Sequence, residues 1–244
     1  MSSVDILLQA QGLSAGYGAA QILHEVNLQV RRGEVVALMG RNGAGKSTTL
    51  KALIGLVART HGQVSFMGHD LTHLEPHHAA RWGLGYVPED RRIFTDLTVL
   101  QNLQVGQQKA RQWPDGKAAP HWTVDAVFEL FPNLGDMPQR PGGQMSGGEQ
   151  QMLAVARTLM GNPFVILLDE PSEGVAPVMV EQMVQMILAL KARGVSILLS
   201  EQNIHFANLV ADRAYVLEKG QVRYQASMQA LTADPDIQRA YLSL

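Results

Sequence analysis

Val35-Val36-Ala37-Leu38-Met39-Gly40-Arg41-Asn42-Gly43-Ala44-Gly45-Lys46-Ser47-Thr48-Thr49-Leu50 is the stretch whose reading decides the fold of this chain. Val35 to Met39 is a short continuous apolar run, the pattern of a strand buried on both faces. It leads straight into a glycine, four residues and Gly-Lys-Ser. Behind that, Leu50, Leu53, Ile54 and Val57 recur at i, i+3, i+4 and i+7, one face of a helix. Strand, glycine-rich loop and helix form the setting in which this pattern cradles phosphate. Glycines let backbone N–H groups turn inward around phosphate oxygens, and the helix N-terminus adds the positive end of its dipole. Lys46 supplies a mobile charge for the β- and γ-phosphates, and Ser47 a hydroxyl for Mg2+. Gly40, Arg41, Asn42, Gly43, Ala44, Gly45, Lys46, Ser47 and Thr48 are the candidate nucleotide-binding residues. The chain is expected to bind a nucleoside triphosphate.

Working outward, Phe164 to Leu168 is a second buried-strand run, and it ends in Asp169-Glu170. A strand that delivers a carboxylate beside a phosphate loop offers Asp169 to Mg2+. Glu170 is then placed to polarise or deprotonate the attacking water. Met145-Ser146-Gly147-Gly148-Glu149-Gln150 is a third element. Ser146 and Glu149 have capping-box spacing, and a bare cap has no use for the two glycines between them. Two glycines at a helix start leave backbone N–H groups open, a second anion site. One triphosphate does not need two helix starts from distant sequence, whereas two copies arranged head to tail use both.

The phosphate loop, the Ser-Gly-Gly-Glu-Gln segment and the Asp-Glu pair, in this order and over nearly the whole chain, resemble the ATP-binding subunits of ABC transporters. The resemblance implies an α/β fold of the P-loop NTPase kind. Its parts are a parallel sheet with flanking helices, N-terminal antiparallel strands and an inserted α-helical subdomain. Residues 1–87 and 160–244 form the nucleotide-binding core and 88–159 the helical lobe that carries Ser146. The resemblance also implies ATP and Mg2+ as ligands, ATP hydrolysis at Glu170, and Tyr17 of Gly16-Tyr17-Gly18 stacked on adenine. In the implied dimer, each ATP lies between the phosphate loop of one subunit and Ser146, Gly147 and Gly148 of the other. Two membrane-spanning permease subunits are the implied partners, with a substrate-binding protein contributing indirectly. They would hold the chain at the cytoplasmic face of the plasma membrane, with the membrane partner in a groove near Glu89.

Two positions depart from the family pattern. Tyr86-Val87-Pro88-Glu89 resembles the Q-loop, with Glu89 in place of glutamine; Glu89 can approach Mg2+ but adds negative charge near phosphates. Leu199-Ser200-Glu201-Gln202-Asn203 resembles the switch loop, with Gln202 in place of histidine. A glutamine can hydrogen-bond a γ-phosphate but carries no proton near pH 7. The loop after Glu170 ends at Ala176, where many relatives have aspartate. Pro88-Glu89-Asp90-Arg91-Arg92-Ile93-Phe94, Glu201-Gln202-Asn203 and Ala240-Tyr241-Leu242 are similar to the LivF-type ATPases of branched-chain amino-acid importers. Ser172-Glu173-Gly174 is also similar to the urea and short-amide branch. A soluble ABC-type ATPase acting on DNA or ribosomes is the alternative of another class, and a phosphoryl-transfer kinase shares the phosphate loop but leaves Ser146 to Gly148 unexplained.

Composition agrees with a folded α/β protein. Of 244 residues, 46% are hydrophobic and 17% charged, which excludes a disordered or collagen-like chain. A net charge of −2 supplies no basic field for nucleic acid, and the absence of cysteine excludes thiolate chemistry. Asp5 breaks the first apolar stretch, so no secretory leader is expected, and no apolar run reaches the ~20 residues that span a bilayer. Three local expectations follow from pattern alone. Trp113 to Pro120, with two prolines and a glycine, should be an exposed loop. Val180, Met183, Val184, Ile187 and Leu188 should form one helical stripe, and His69, His73, His77 and His78 a solvated face.

Overall fold

The computed structural model describes residues 6–242; Asp5 and the outermost ends of the 1–87 and 160–244 segments lie outside the described residues. The chain opens with β1 (Ile6–Tyr17) and β2 (Ala20–Arg31), then enters β3 (Val35–Met39) and α1 (Lys46–Ile54). β4 (Ala58–Phe66), the short β5 (His69–Asp70), α2 (Pro76–Trp82) and β6 (Leu84–Val87) follow. The lobe supplies α3 (Val99–Gly106), α4 (Val124–Leu130), α5 (Pro132–Gly135) and α6 (Gly147–Leu159). β7 (Val165–Asp169), α7 (Pro177–Ala192), β8 (Ser196–Glu201) and α8 (Ile204–Val210) return to the core. A hairpin of β9 (Arg213–Glu218) and β10 (Gln221–Ser227), then α9 (Met228–Thr232) and α10 (Pro235–Tyr241), complete it.

Two sheets result. β2, β1, β4 and β5 make an antiparallel sheet in that order, and β10, β9, β3, β8, β7 and β6 make the central one. From β9 to β6 the central pairings are all parallel, and only β10 runs against its neighbour. Alternation within the strands explains how both faces are covered. Val35, Ala37, Met39, Ile166, Leu168, Ile197 and Leu199 belong to one buried cluster, with Leu153, Ile187 and Phe206 from α6, α7 and α8. Val36, Leu38, Val165, Leu167 and Leu198 point the other way, into a cluster with Leu8, Val26, Leu50 and Leu53 from the antiparallel sheet and α1. The helical lobe has no separate core: Val99, Leu103, Val127 and Phe131 join the first cluster.

Local chemistry sets the ends of the lobe helices. Thr98 and Gln101 form a reciprocal capping box on α3, and Ser146 and Glu149 form one on α6. Asp234 caps α10, with Pro235 at its first position. Pro132 both stops α4 and opens α5.

Three expectations are corrected. The segment 113–120 is not simply exposed: Trp113 is buried, its ring centred 4.5 Å from that of Phe164 with the Arg32 guanidinium 3.8 Å above it. The large apolar area of one indole outweighs the loop-forming composition around it. Leu188 is 38% exposed, and Met186 and Leu190 take its place in the buried face of α7. Val57 is buried but lies past the end of α1, where Gly55 turns left-handed at φ 87°. The histidines are as expected in part. His69, His73 and His77 are exposed and His78 is half-buried; His69 also stacks on Trp82 with ring centres 4.3 Å apart.

Candidate nucleotide site

The C-terminal ends of β3, β6, β7 and β8 lie along one edge of the central sheet, the edge at which open α/β sheets bind ligands. Residues 40–45 turn from β3 into α1 there. Gly40 has φ 155° and a Cβ on it would lie 2.4 Å from the Leu217 carbonyl oxygen, so the loop is pressed against β9. Gly45 caps α1 at φ 105°, where a Cβ would meet Leu23 at 3.0 Å. Only glycine suits either position. The β9–β10 turn supports the loop further, since Gly220 N–H donates to the Ala44 carbonyl at 2.9 Å.

Lys46 is buried, and its ammonium is held from three sides. It donates to the carbonyls of Gly40 at 3.0 Å and Arg41 at 3.2 Å, and it pairs with Glu170 Oε1 at 3.0 Å. The phosphate-loop lysine and the candidate base are therefore partners within this chain. Ser47 and Thr48 follow in the first turn of α1, half-buried, while Arg41, Asn42 and Gly43 are exposed at the tip of the loop.

Glu170 sits just past β7 in a left-handed backbone conformation, φ 45°, rare for a residue with a side chain. Burial alone would push its carboxyl up, but a hydrogen bond from Glu173 and the Lys46 ammonium hold it below the usual carboxylate range. Glu173 shows the converse, pushed up to about 7 by its hydrogen bond to Glu170 first, then by burial and by the charges of Glu170 and Glu89. The opposite directions favour the proton on Glu173 and the charge on Glu170. Asp169 is buried and accepts a hydrogen bond on each carboxylate oxygen, from Ser200 Oγ at 2.7 Å and from Tyr86 Oη at 3.0 Å. Burial, then the neighbouring Asp169 charge, raises the Tyr86 phenol, so it remains a donor.

The remaining candidates stand farther apart. Tyr17 ends β1 and is 50% exposed, free to present a ring face to a ligand. Gln202 is half-buried, and its backbone N–H donates to Glu201. Glu89 is exposed and reaches the acids only through its field on Glu173. Ser146 is exposed at the start of α6, in the lobe, where its N–H donates to Glu149 Oε2 at 2.7 Å. The first two amides of that helix, on Gly147 and Gly148, have no intrahelical acceptor. A Cβ on Gly147 would touch the Arg91 guanidinium at 3.0 Å, and one on Gly148 would reach Met179 Cε at 2.7 Å.

Sequence reading missed four residues here. Ser200 and Tyr86 hold Asp169, and Glu173 protonates against Glu170. Buried Glu201 accepts the N–H groups of Ser172, Gln202 and Asn203 at 3.0–3.1 Å, joining the loop after Glu170 to the end of β8. The available signal was polar residues at the end of the apolar run Val195 to Leu199. For a metal, Ser47 and Asp169 offer a hydroxyl and a carboxylate. That hard-oxygen set suits Mg2+ completed by phosphate and water oxygens.

Known proteins share the sequence and the fold of this chain. The family model described as ABC transporter matches residues 23–173. Over 236 residues the chain is 42% identical to the high-affinity branched-chain amino acid transport ATP-binding protein BraG of Pseudomonas aeruginosa, covering 97% of this chain and 99% of that one. It is 33% identical to the lipopolysaccharide export system ATP-binding protein LptB of Haemophilus influenzae, covering 97% of each. The fold superposes with a TM-score of 0.80 on a nucleotide-free ATP-binding cassette from an ABC transporter, 26% identical, covering 95% of this chain and 97% of that one. The phosphate loop beside Asp169 and Glu170, on a fold shared from end to end with these proteins, gives one conclusion: this chain belongs to the ABC transporter family, as one of its ATP-binding subunits.

Proposed function

We propose that this subunit is the ATP-hydrolysing motor of a membrane importer for branched-chain amino acids. The observation that carries this reading is the 42% identity to BraG across nearly the whole chain. The site supports a definite sequence of events. Lys46 cannot serve Glu170 and a γ-phosphate equally, so an arriving triphosphate draws the ammonium away from the carboxylate. Glu170, ionised and released from the pair, accepts a proton from the attacking water. Ser47 and Asp169 hold Mg2+, which when bound neutralises charge on the phosphates. Tyr17 stacks on the base, and Gly40 to Thr48 wrap the phosphates.

The other half of each site comes from a second subunit, either a copy of this chain or a paralogue. The open amides of Gly147 and Gly148 of that subunit, with the Ser146 hydroxyl beside them, close over the γ-phosphate. Two permease subunits take up the resulting motion at the cytoplasmic face of the membrane, and a substrate-binding protein feeds them. A groove between core and lobe, of about 710 Å3 and lined by Ile54, Tyr86, Arg92, Phe94, Val105 and Arg157, supports that region as their proposed contact. Glu89 is not among its lining residues, so the contact lies beside Glu89 rather than on it.

Uptake of labelled leucine in cells whose only copy carries Glu170→Gln tests the function. Loss of leucine uptake with labelled urea uptake intact is the expected result. Loss of urea uptake alone keeps the motor and overturns the cargo. The likeness to LptB supports a second reading, in which the motor drives lipid export; intact uptake together with lipopolysaccharide retained at the inner membrane would favour it.

A further inference from the structure

Asp169 is the last residue of β7, and the sheet places a neighbouring strand on either side of it. In β8, Ser200 is its direct parallel partner; in β6, Tyr86 stands opposite Leu167, two residues earlier. Ser200 is wholly buried, and its hydroxyl does two things at once. It donates to Asp169 Oδ1 at 2.7 Å and accepts the backbone N–H of Glu170 at 2.9 Å. The same N–H also lies 3.2 Å from the Ser200 carbonyl oxygen. From the other side Tyr86 Oη donates to Asp169 Oδ2 at 3.0 Å.

A serine hydroxyl has one proton and two lone pairs, so a single side chain here joins both acids of the Asp169-Glu170 pair. Each oxygen of an ionised carboxylate has about two acceptor positions. One on each oxygen is taken by a hydroxyl fixed to a strand, and the other stays open. Without these donors the terminal torsion of an aspartate is broad, and the carboxylate plane can turn. With them, rotation breaks two hydrogen bonds in a buried setting, where unmade bonds are costly. Ser200 also pins the left-handed turn at Glu170, a conformation that persists only where its surroundings over-determine it. The burial of a serine hydroxyl at this position of β8 is explained by this use.

We propose that Ser200, with Tyr86 opposite it, is a positioning residue that orients the Asp169 carboxylate for Mg2+ and holds the backbone of Glu170 in its turn. The proposal rests on the reading of Asp169 as a metal ligand given above. Residues that orient a ligand in this way typically change metal affinity or activity 10- to 100-fold when removed.

The decisive comparison is Ser200→Thr against Ser200→Val in the full chain. The two side chains have nearly the same shape and differ by the hydroxyl, so the cost of the added methyl cancels. Mn2+ binding in the presence of a non-hydrolysable ATP analogue is followed by electron paramagnetic resonance, and phosphate release is measured against Mg2+ concentration. Ser200→Val is expected to weaken metal binding about tenfold relative to Ser200→Thr and to lower kcat about tenfold. Metal-free nucleotide affinity should be equal in both. Equal metal affinity and equal turnover in the two variants overturns the proposal. Should both fail to fold, Tyr86→Phe removes the opposite donor from a half-buried side chain. It is expected to weaken Mn2+ binding about threefold with Tm unchanged, and parent-like binding overturns the clamp. Asp169→Asn separates the two levels of argument. Unchanged Mn2+ binding in that variant removes Asp169 as a ligand, whereas lost binding in Asp169→Asn with equal Thr and Val variants removes only the clamp.

Discussion

The phosphate loop with its two acids and the start of α6 are both proposed as anion-binding helix starts, yet they stand in opposite condition within one chain. At the first, Lys46 is buried against Glu170 at 3.0 Å, Asp169 has a donor on each oxygen, and the loop is pressed on Leu217 and Gly220. At the second, Ser146 is exposed, the capping box satisfies the amides of Ser146 and Glu149, and flexible side chains, those of Arg91 and Met179, lie over Gly147 and Gly148. The first region is assembled by folding. The second, in the proposed pair, is completed by another surface. Substitutions at the first should therefore damage the chain itself, and substitutions at the second should damage only what the chain does in a pair.

The largest effect tests the chemistry of the first region. Glu170→Gln should lower steady-state phosphate release by about 100- to 1,000-fold while ATP binding persists, the usual weight of a positioned base. Gly45→Ala comes next. With φ 105° and Leu23 in the way, it should cost about 2 kcal/mol in denaturant unfolding without nucleotide. Gly148→Ala is the matched substitution at the second region, where the added methyl meets the flexible side chain of Met179, Cε at 2.7 Å and Cγ at 2.8 Å, and no backbone. Its Tm should stay within about 3 °C of the parent while ATPase activity falls about tenfold. Unequal damage to stability at Gly45 and Gly148 sharpens the contrast, and equal damage breaks it. Mixing Lys46→Ala and Gly148→Ala chains in equal amounts, each at about a tenth of parent activity or less alone, should raise activity to about a quarter of the parent's, because half the pairs are then mixed and hold one intact site. No recovery would remove the composite site.

Smaller effects concern the edges of the first region. Gln202→Ala should slow hydrolysis about fivefold, the weight of one hydrogen bond, with no rate step near pH 6.5 to lose. The smallest expected effect is at Glu173. Its carboxyl is raised from 4.5 to about 7 by the bond to Glu170. A raised carboxyl contributes its stability in full below the unfolded value and loses it as pH rises through the folded one. The nucleotide-free parent should therefore lose Tm between about pH 5 and pH 8 by roughly 1–2 °C more than Glu173→Gln, a small figure because solvent screens the pair. An identical pH dependence in the two would place the proton elsewhere.

Much of this protein was determined by local sequence. The run Val35 to Met39 can only be a strand covered on both faces, and Gly40 to Ser47 behind it sets a loop whose backbone must turn where side chains clash. Capping chemistry at Ser146 and Glu149, and at Thr98 and Gln101, is read directly because cap and partner are three residues apart. Period and spacing are short-range properties, so one sequence displays them. Composition misled at Trp113, because burial of an indole depends on Arg32 and Phe164, which are remote in the chain. For the same reason no pattern shows that Lys46 pairs with Glu170, that the Ser200 hydroxyl is shared by Asp169 and Glu170, or that Tyr86 faces them from β6. Those contacts exist because parallel strands bring residues 30 to 124 positions apart to one sheet edge, and only the order of strands in the folded sheet decides which ones meet.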